Sequence, residues 1–118
     1  MPKKILIVDN EEDLRDFLVR LLERNYDTLS AKDGSEALNI SRENPDLSLI
    51  LMDTDMPNLN GDEVCKILRK EGCNIPIIGM SGHYDNKERW QQAESNDFIE
   101  KPFSNSSISE KVKAYLGE

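Results

Sequence analysis

Apolar positions along the chain follow two rhythms. Lys4-Ile5-Leu6-Ile7-Val8 carries a short unbroken apolar run from Ile5 to Val8, the pattern of a strand buried on both faces. Leu14, Phe17, Leu18, Leu21 and Leu22 then recur at helical spacing, with Asp13 or a neighbour as cap and Asn25 near the end. Asp27 to Ala31 reads as a second strand. Asp33-Gly34 is a turn, and Ser35 is the candidate cap of a helix reaching about Arg42. Asn44-Pro45-Asp46 stops that helix, because proline cannot continue it. The run Leu47-Ser48-Leu49-Ile50-Leu51-Met52 predicts a third strand ending at Asp53. Pro57 lies in the loop that follows, and Gly61 opens a helix with the stripe Val64, Ile67, Leu68, ended by Glu71-Gly72. Asn74 to Met80 is the fourth strand and runs into Ser81. A weak helix over about Asn86 to Glu94 carries Trp90 and Ala93, and Phe98-Ile99 is a brief fifth strand. The polar stretch Ser104-Asn105-Ser106-Ser107 leads into a closing helix marked by Ile108, Val112, Tyr115 and Leu116.

Strands alternating with helices at this spacing imply an α/β fold, a parallel sheet covered on both faces through right-handed crossovers. The carboxyl ends of parallel strands share one rim, where open α/β sheets bind ligands. Three strands end there in Asp9, Asp53 and Ser81, and a fourth segment adds Lys101. Residues 1–118 are expected to form one domain, long enough to bury a core without disulfide or metal.

Charge narrows the function classes. Fifteen basic against twenty-three acidic residues give a net charge of −8, and no basic stripe appears, so direct nucleic-acid binding is not expected. Cys65 and Cys73 match no zinc spacing, and His83 is the one histidine, so idle thiols in a reducing cytosol are the expectation. The basic start Met1-Pro2-Lys3-Lys4 is followed by apolar residues only from Ile5 to Val8. A secretory core needs about 7–15 apolar residues and a membrane span about 20, so a cytoplasmic location without membrane insertion is expected.

A carboxylate at the end of a buried strand can attack a phosphoryl donor and become a mixed anhydride. Anionic oxygens then face anionic oxygens, and cations must hold them. Mg²⁺ (or Mn²⁺) prefers oxygen ligands, for which Asp9 and Asp53 are candidates. Lys101 offers a second positive charge, and Ser81 a hydrogen bond to a phosphoryl oxygen. Each of these alone is ordinarily a loop polar group or a helix cap. Four of them at the ends of four segments point to a site.

The chain resembles the receiver domain of two-component response regulators over nearly its whole length. The matching pieces are Ile5-Leu6-Ile7-Val8-Asp9, Ala31 to Leu38, Pro45-Asp46-Leu47, Leu51-Met52-Asp53 through Met56-Pro57, Asn60-Gly61, Met80-Ser81-Gly82 and Phe98 through Phe103. The resemblance implies a flavodoxin-like (βα)5 fold with strand order 2-1-3-4-5. It also implies that Asp53 accepts a phosphoryl group from a histidine kinase or phosphotransfer protein, with Lys101, Ser81 and Phe98 as contact and switch residues. Asp9, Asp53 and the backbone carbonyl of Asp55 would hold the metal, and the Lys101-Pro102 bond would be cis. The downstream partner would meet the face of the fourth helix, fifth strand and fifth helix, with Trp90, Phe98 and the outer side of Ser106 to Tyr115. The domain would catalyse only its own phosphotransfer and slow dephosphorylation.

Asn10 departs from the family pattern, which places a second acid there. Its carbonyl oxygen can still reach a metal, but without charge, so weaker Mg²⁺ binding is expected. The loss also relieves repulsion towards an incoming phosphoryl group. A natural receiver, an engineered aspartate-to-asparagine change and a phosphate-independent pseudo-receiver all fit; so does an Asp55 side chain that restores the charge. Asp53-Thr54-Asp55 also resembles the nucleophile motif of haloacid-dehalogenase-type phosphatases. That motif disfavours Pro57 and needs an acid pair after the lysine, where only Glu110 and Glu118 occur. Arg15 and Arg20 on the first helix offer a kinase-docking surface or an ordinary solvated face. His83 either tunes solvent access to the acceptor or is simply surface.

Overall fold

The computed structural model describes residues 2–83 and 86–117; Met1 and Glu118 lie outside them. Five strands alternate with five helices: β1 (Lys4–Val8), α1 (Glu12–Leu22), β2 (Asp27–Ala31), α2 (Gly34–Glu43), β3 (Leu49–Asp53), α3 (Gly61–Lys70), β4 (Ile77–Ser81), α4 (Asn86–Gln92), β5 (Asp97–Glu100) and α5 (Asn105–Leu116). The strands form one sheet in the order β2-β1-β3-β4-β5, and every neighbouring pair is parallel. The flavodoxin-like architecture expected from the resemblance is therefore present.

Alternate residues of the central strands feed two cores. Leu6, Val8, Ile50, Met52 and Ile77 face Val64, Cys65, Leu68 and Trp90 from α3 and α4, with Ala37 from α2. Ile5, Ile7, Leu49, Leu51, Ile78 and Met80 face Leu18 and Leu22 from α1 and Ile108, Val112 and Leu116 from α5. Burial on both faces is why β1 and β3 read as unbroken apolar runs rather than alternating ones. In register, Asp53 lies opposite Met80 and Val8 opposite Met52, so the strand ends carrying Asp9, Asp53 and Ser81 come level.

Local details differ from the sequence expectations in physical ways. Asp33, not Ser35, caps α2: it is extended and its side chain accepts the Glu36 backbone N–H at 2.8 Å, while Ser35 already lies inside the helix. Asp13 does not cap α1, since it too lies inside the first turn; instead Asp9 Oδ1, from the preceding strand end, accepts the Glu11 N–H at 2.9 Å. The fourth strand begins at Ile77 rather than Asn74. Helix α4 stops at Gln92, and Glu94 takes a left-handed φ of 64° beyond it. Trp90 is fully buried, and so contributes to the core rather than to an outward face. Its ring fills the space over Gly79, where an added Cβ would meet ring carbon at 2.3 Å, so only glycine fits this position of β4.

Candidate functional site

The strand-end residues converge as the parallel sheet requires. Asp9 and Asp53 are 0% and 6% exposed, yet both carry carboxylates. Lys101 Nζ, just beyond β5, donates to Asp9 Oδ2 at 3.0 Å and to Asp53 Oδ1 at 2.9 Å. The lysine is placed by its own backbone, whose N–H donates to the Ser81 carbonyl at 2.7 Å; the Lys101-Pro102 bond that follows is cis, as expected from the resemblance. Gly61 brings the start of α3 against the end of β3. A Cβ there would fall 1.9 Å from the Asp53 carbonyl oxygen, so a larger residue would push α3 away.

One ammonium between two carboxylates leaves a net negative charge. Burial pushes the Asp53 carboxyl above its ordinary value; the Lys101 hydrogen bond opposes this, and the charge of Asp9 adds to it. Burial acts downward on the Lys101 ammonium, but Asp53 and Asp9 outweigh it and hold the group above its ordinary value. Lys101 is therefore a firm cation at neutral pH.

Asn10 faces the same point. The orientation that satisfies its amide turns Nδ2 inward, where it donates to Asp53 Oδ2 at 3.1 Å and to the Asp55 carbonyl at 3.3 Å. Asp55 itself is exposed. Among the described residues no three His, Cys, Asp or Glu side chains are grouped to hold a metal. The available donors are instead mixed: the Asp53 carboxylate, Asp9 beside it, the Asp55 carbonyl and, after rotation of its amide, the Asn10 oxygen. An all-oxygen set with two carboxylates fits Mg²⁺ or Mn²⁺, which take one or two carboxylates and keep several waters.

Ser81 is 1% exposed, and its hydroxyl accepts from the His83 N–H at 3.0 Å and from Asn86 Nδ2 at 2.7 Å. His83 thus serves the site through its backbone, and the residue is exposed. Phe98 is half-buried and packs against the core on the α4 side. Thr54, which no sequence signal singles out as a support of the site, is wholly buried next to Asp53. Its hydroxyl donates to the Met80 carbonyl at 2.7 Å and accepts from Trp90 Nε1 at 2.7 Å. Arg15 is half-buried and Nη1 donates to the Asp9 carbonyl at 2.8 Å, so it braces the site. Phe17, 37% exposed, is the apolar residue that α1 shows to solvent.

The family profile described as "Response regulator receiver domain" matches residues 5–113. The chain belongs to the response regulator receiver family. It is 40% identical to the alkaline phosphatase synthesis transcriptional regulatory protein PhoP of Bacillus subtilis, over 98% of this chain and 49% of that protein. It is 36% identical to the polar-differentiation response regulator DivK of Brucella anthropi, over 100% of this chain and 99% of the other. The chain therefore spans about half of PhoP and nearly all of DivK. Among solved structures, the receiver domain of Francisella response regulator 1452 is similar at a TM-score of 0.88 and 32% identity, covering 99% of this chain and 98% of that one. A chain of the CheX–CheY–BeF3–Mg complex from Borrelia burgdorferi shares the fold, with a TM-score of 0.90 at 21% identity, covering 98% of this receiver domain and 90% of that chain. The receiver sequence has no helix, among the described residues, long and apolar enough to cross a membrane.

Proposed function

We propose that this receiver domain, spanning residues 1–118, is a phosphorylation-driven signalling switch with Asp53 as acceptor. The observation that carries the reading is the Lys101 ammonium bridging the Asp9 and Asp53 carboxylates. One Asp53 oxygen attacks phosphorus; the new O–P bond forms as the N–P bond of a phosphohistidine breaks. The imidazole leaves neutral, keeping the proton on its other nitrogen. Lys101 then loses its partner oxygen to the anhydride and turns to a phosphoryl oxygen, for which its positive charge is suited. Ser81 donates its hydroxyl proton to another phosphoryl oxygen, and Phe98 follows the serine inward, which biases the two-state equilibrium of the domain. Bound Mg²⁺ or Mn²⁺ supplies neutralisation of phosphoryl charge, held by Asp9, Asp53, the Asp55 carbonyl and Asn10. Asn10 weakens that binding twice over: it brings no charge, and its amide must give up two hydrogen bonds and rotate before its oxygen can serve.

A phosphohistidine donor, on a kinase or phosphotransfer protein, has a surface to meet. Leu14, Phe17, Pro102 and Phe103 line a groove of about 550 Å³ whose wall includes Lys101. The output face is assigned to α4, β5 and α5, where Lys87, Gln91, Phe98 and Lys111 line a cavity of about 430 Å³; Trp90 is no part of it. Cytoplasmic kinases and no direct nucleic-acid contact complete the reading. Incubation with Mg²⁺ and a small acyl-phosphate donor tests it. Intact-mass measurement should show one phosphoryl group gained, absent in Asp53→Ala. Asn10→Asp should lower the Mg²⁺ concentration needed by about tenfold. No gain in the parent chain would favour a phosphate-independent binding module.

A further inference from the structure

Ser81 is tied to a chain of polar groups that phosphoryl transfer does not use; Asn86 and Asp62 in it are buried, and the Arg89 side chain between them is 40% exposed. Asn86, at the start of α4 and 7% exposed, donates Nδ2 to Ser81 Oγ at 2.7 Å. Its oxygen is already occupied, because Arg89 Nη1 donates to Asn86 Oδ1 at 3.0 Å. Arg89 in turn holds Asp62 through a two-point contact, Nη2 to Oδ1 at 2.8 Å and Nε to Oδ2 at 3.2 Å. Asp62, on the first turn of α3, is 4% exposed. A guanidinium can only donate, so it fixes which end of the Asn86 amide faces Ser81. A buried carboxylate paired in two places is costly to leave behind, so Arg89 stays where it is.

We propose that Asn86, oriented by Arg89 and Asp62, is a latch that holds Ser81 in its resting position and thereby sets how strongly a phosphoryl group must pull. The inference rests on the reading of Ser81 as the switch hydroxyl and deepens it. Ser81 Oγ accepts from Asn86 and from the His83 N–H, and neither bond involves Asp53. Moving towards the acceptor means giving up the Asn86 bond, since Asn86 cannot follow without dragging Arg89 from Asp62. Asn86 and Arg89 are positioning residues; neither touches the reacting oxygens. In energetic terms the latch stabilises the resting state alone, so it lowers the population of the competent one and with it the apparent affinity for anything that selects that state.

Beryllofluoride with Mg²⁺ is a suitable probe of phosphoryl-like binding on the whole chain. Trp90 fluorescence reports it, because the indole N–H bonds Thr54 next to Asp53. Asn86→Ala should bind the probe about three- to tenfold more tightly, the effect of losing one buried hydrogen bond from the resting state. Asp62→Asn, which loosens Arg89, should shift affinity the same way by less. In a Ser81→Ala background the Asn86→Ala gain should vanish, a loss of additivity that a merely structural role would not produce. Unchanged or weaker binding by a folded Asn86→Ala chain overturns the latch. Should that variant fail to fold, the double change Asp62→Asn with Arg89→Met takes its place in the same titration: tighter binding supports the latch, and unchanged binding overturns it. If Ser81→Ala alone leaves binding unchanged, the switch role of Ser81 falls first; if it alters binding while the latch variants do not, only the latch falls.

Discussion

The two ends of the sheet both hold a half-buried cationic side chain, and they use it in opposite ways. At the amino end, Arg69 from the last turns of α3 donates Nε to the Glu94 carbonyl at 3.0 Å, Nη1 to the Cys73 and Ile75 carbonyls at 2.9 Å each, and Nη2 to Asn96 Oδ1 at 2.9 Å. All of these acceptors are neutral, and together they pin α3 to the start of β4 and the approach to β5. At the carboxyl end, Lys101 faces two carboxylates and cannot neutralise both. The first arrangement is complete; the second is one positive charge short. Completeness suits a scaffold, whereas the missing positive charge fits the ligand site proposed above.

Removing each cation-centred node should therefore cost different things. Arg69→Met should lower unfolding free energy by about 2–4 kcal/mol, since it strips hydrogen bonds from several carbonyls at once. Phosphoryl uptake at Asp53, read by intact mass below the unfolding transition, should be retained. A variant that lost uptake while still folded would break the division between the two ends.

Asp53→Asn should do the reverse. It removes a buried charge from a cluster with excess negative charge, keeps an oxygen for Lys101, and should raise stability by about 1 kcal/mol in denaturant titration. Phosphoryl uptake should disappear. If stability fell instead, the claim that the resting site is held against its own electrostatics would be wrong.

Which parts of this contrast are visible in the chain alone follows from the same physics. Asp9 and Asp53 stand out because each ends a run buried on both faces, where an ionised carboxylate is costly, although either alone could serve as a cap, as Asp9 does for the Glu11 N–H. Lys101 stands out only in combination with them. The amino-end node is silent in sequence: Arg69 sits among Lys66, Lys70 and Glu71 on α3, indistinguishable from a solvated helix face until its distance to Asn96 is known. Asp62 and Arg89 are silent for the same reason, being far apart in sequence and charged. Trp90 misleads differently. Helix α4 buries only Asn86 and Trp90 among its residues, too sparse a stripe to show which side faces the core. Asn10 is legible as a missing charge, but not as a donor that occupies Asp53 in the resting site.

A second aspartate sharpens the comparison by its pH signature. Asp97, at the amino end of β5, is half-buried. Burial raises its carboxyl, but the Phe98 N–H, Lys111 and Tyr115 outweigh that, and the group sits below its ordinary value. Asp53 is displaced the other way. A carboxyl depressed in the folded state stabilises fully above the unfolded value of about 4, and that stability is lost as pH falls through the folded value. A carboxyl raised in the folded state costs stability at neutral pH, and the cost disappears as pH falls through the raised value. Asp97→Asn should accordingly be less stable than the parent by somewhat under about 1 kcal/mol at pH 7, because its ion pair is part-exposed. That deficit should shrink once the pH drops below about 4. The gain from Asp53→Asn should shrink too, but beginning at higher pH, since its folded carboxyl protonates earlier. Denaturant titrations of the parent and both variants between pH 7 and about 3 would show two difference curves of opposite sign converging on zero. Curves of the same sign would mean that the two ends of the sheet hold their carboxylates alike.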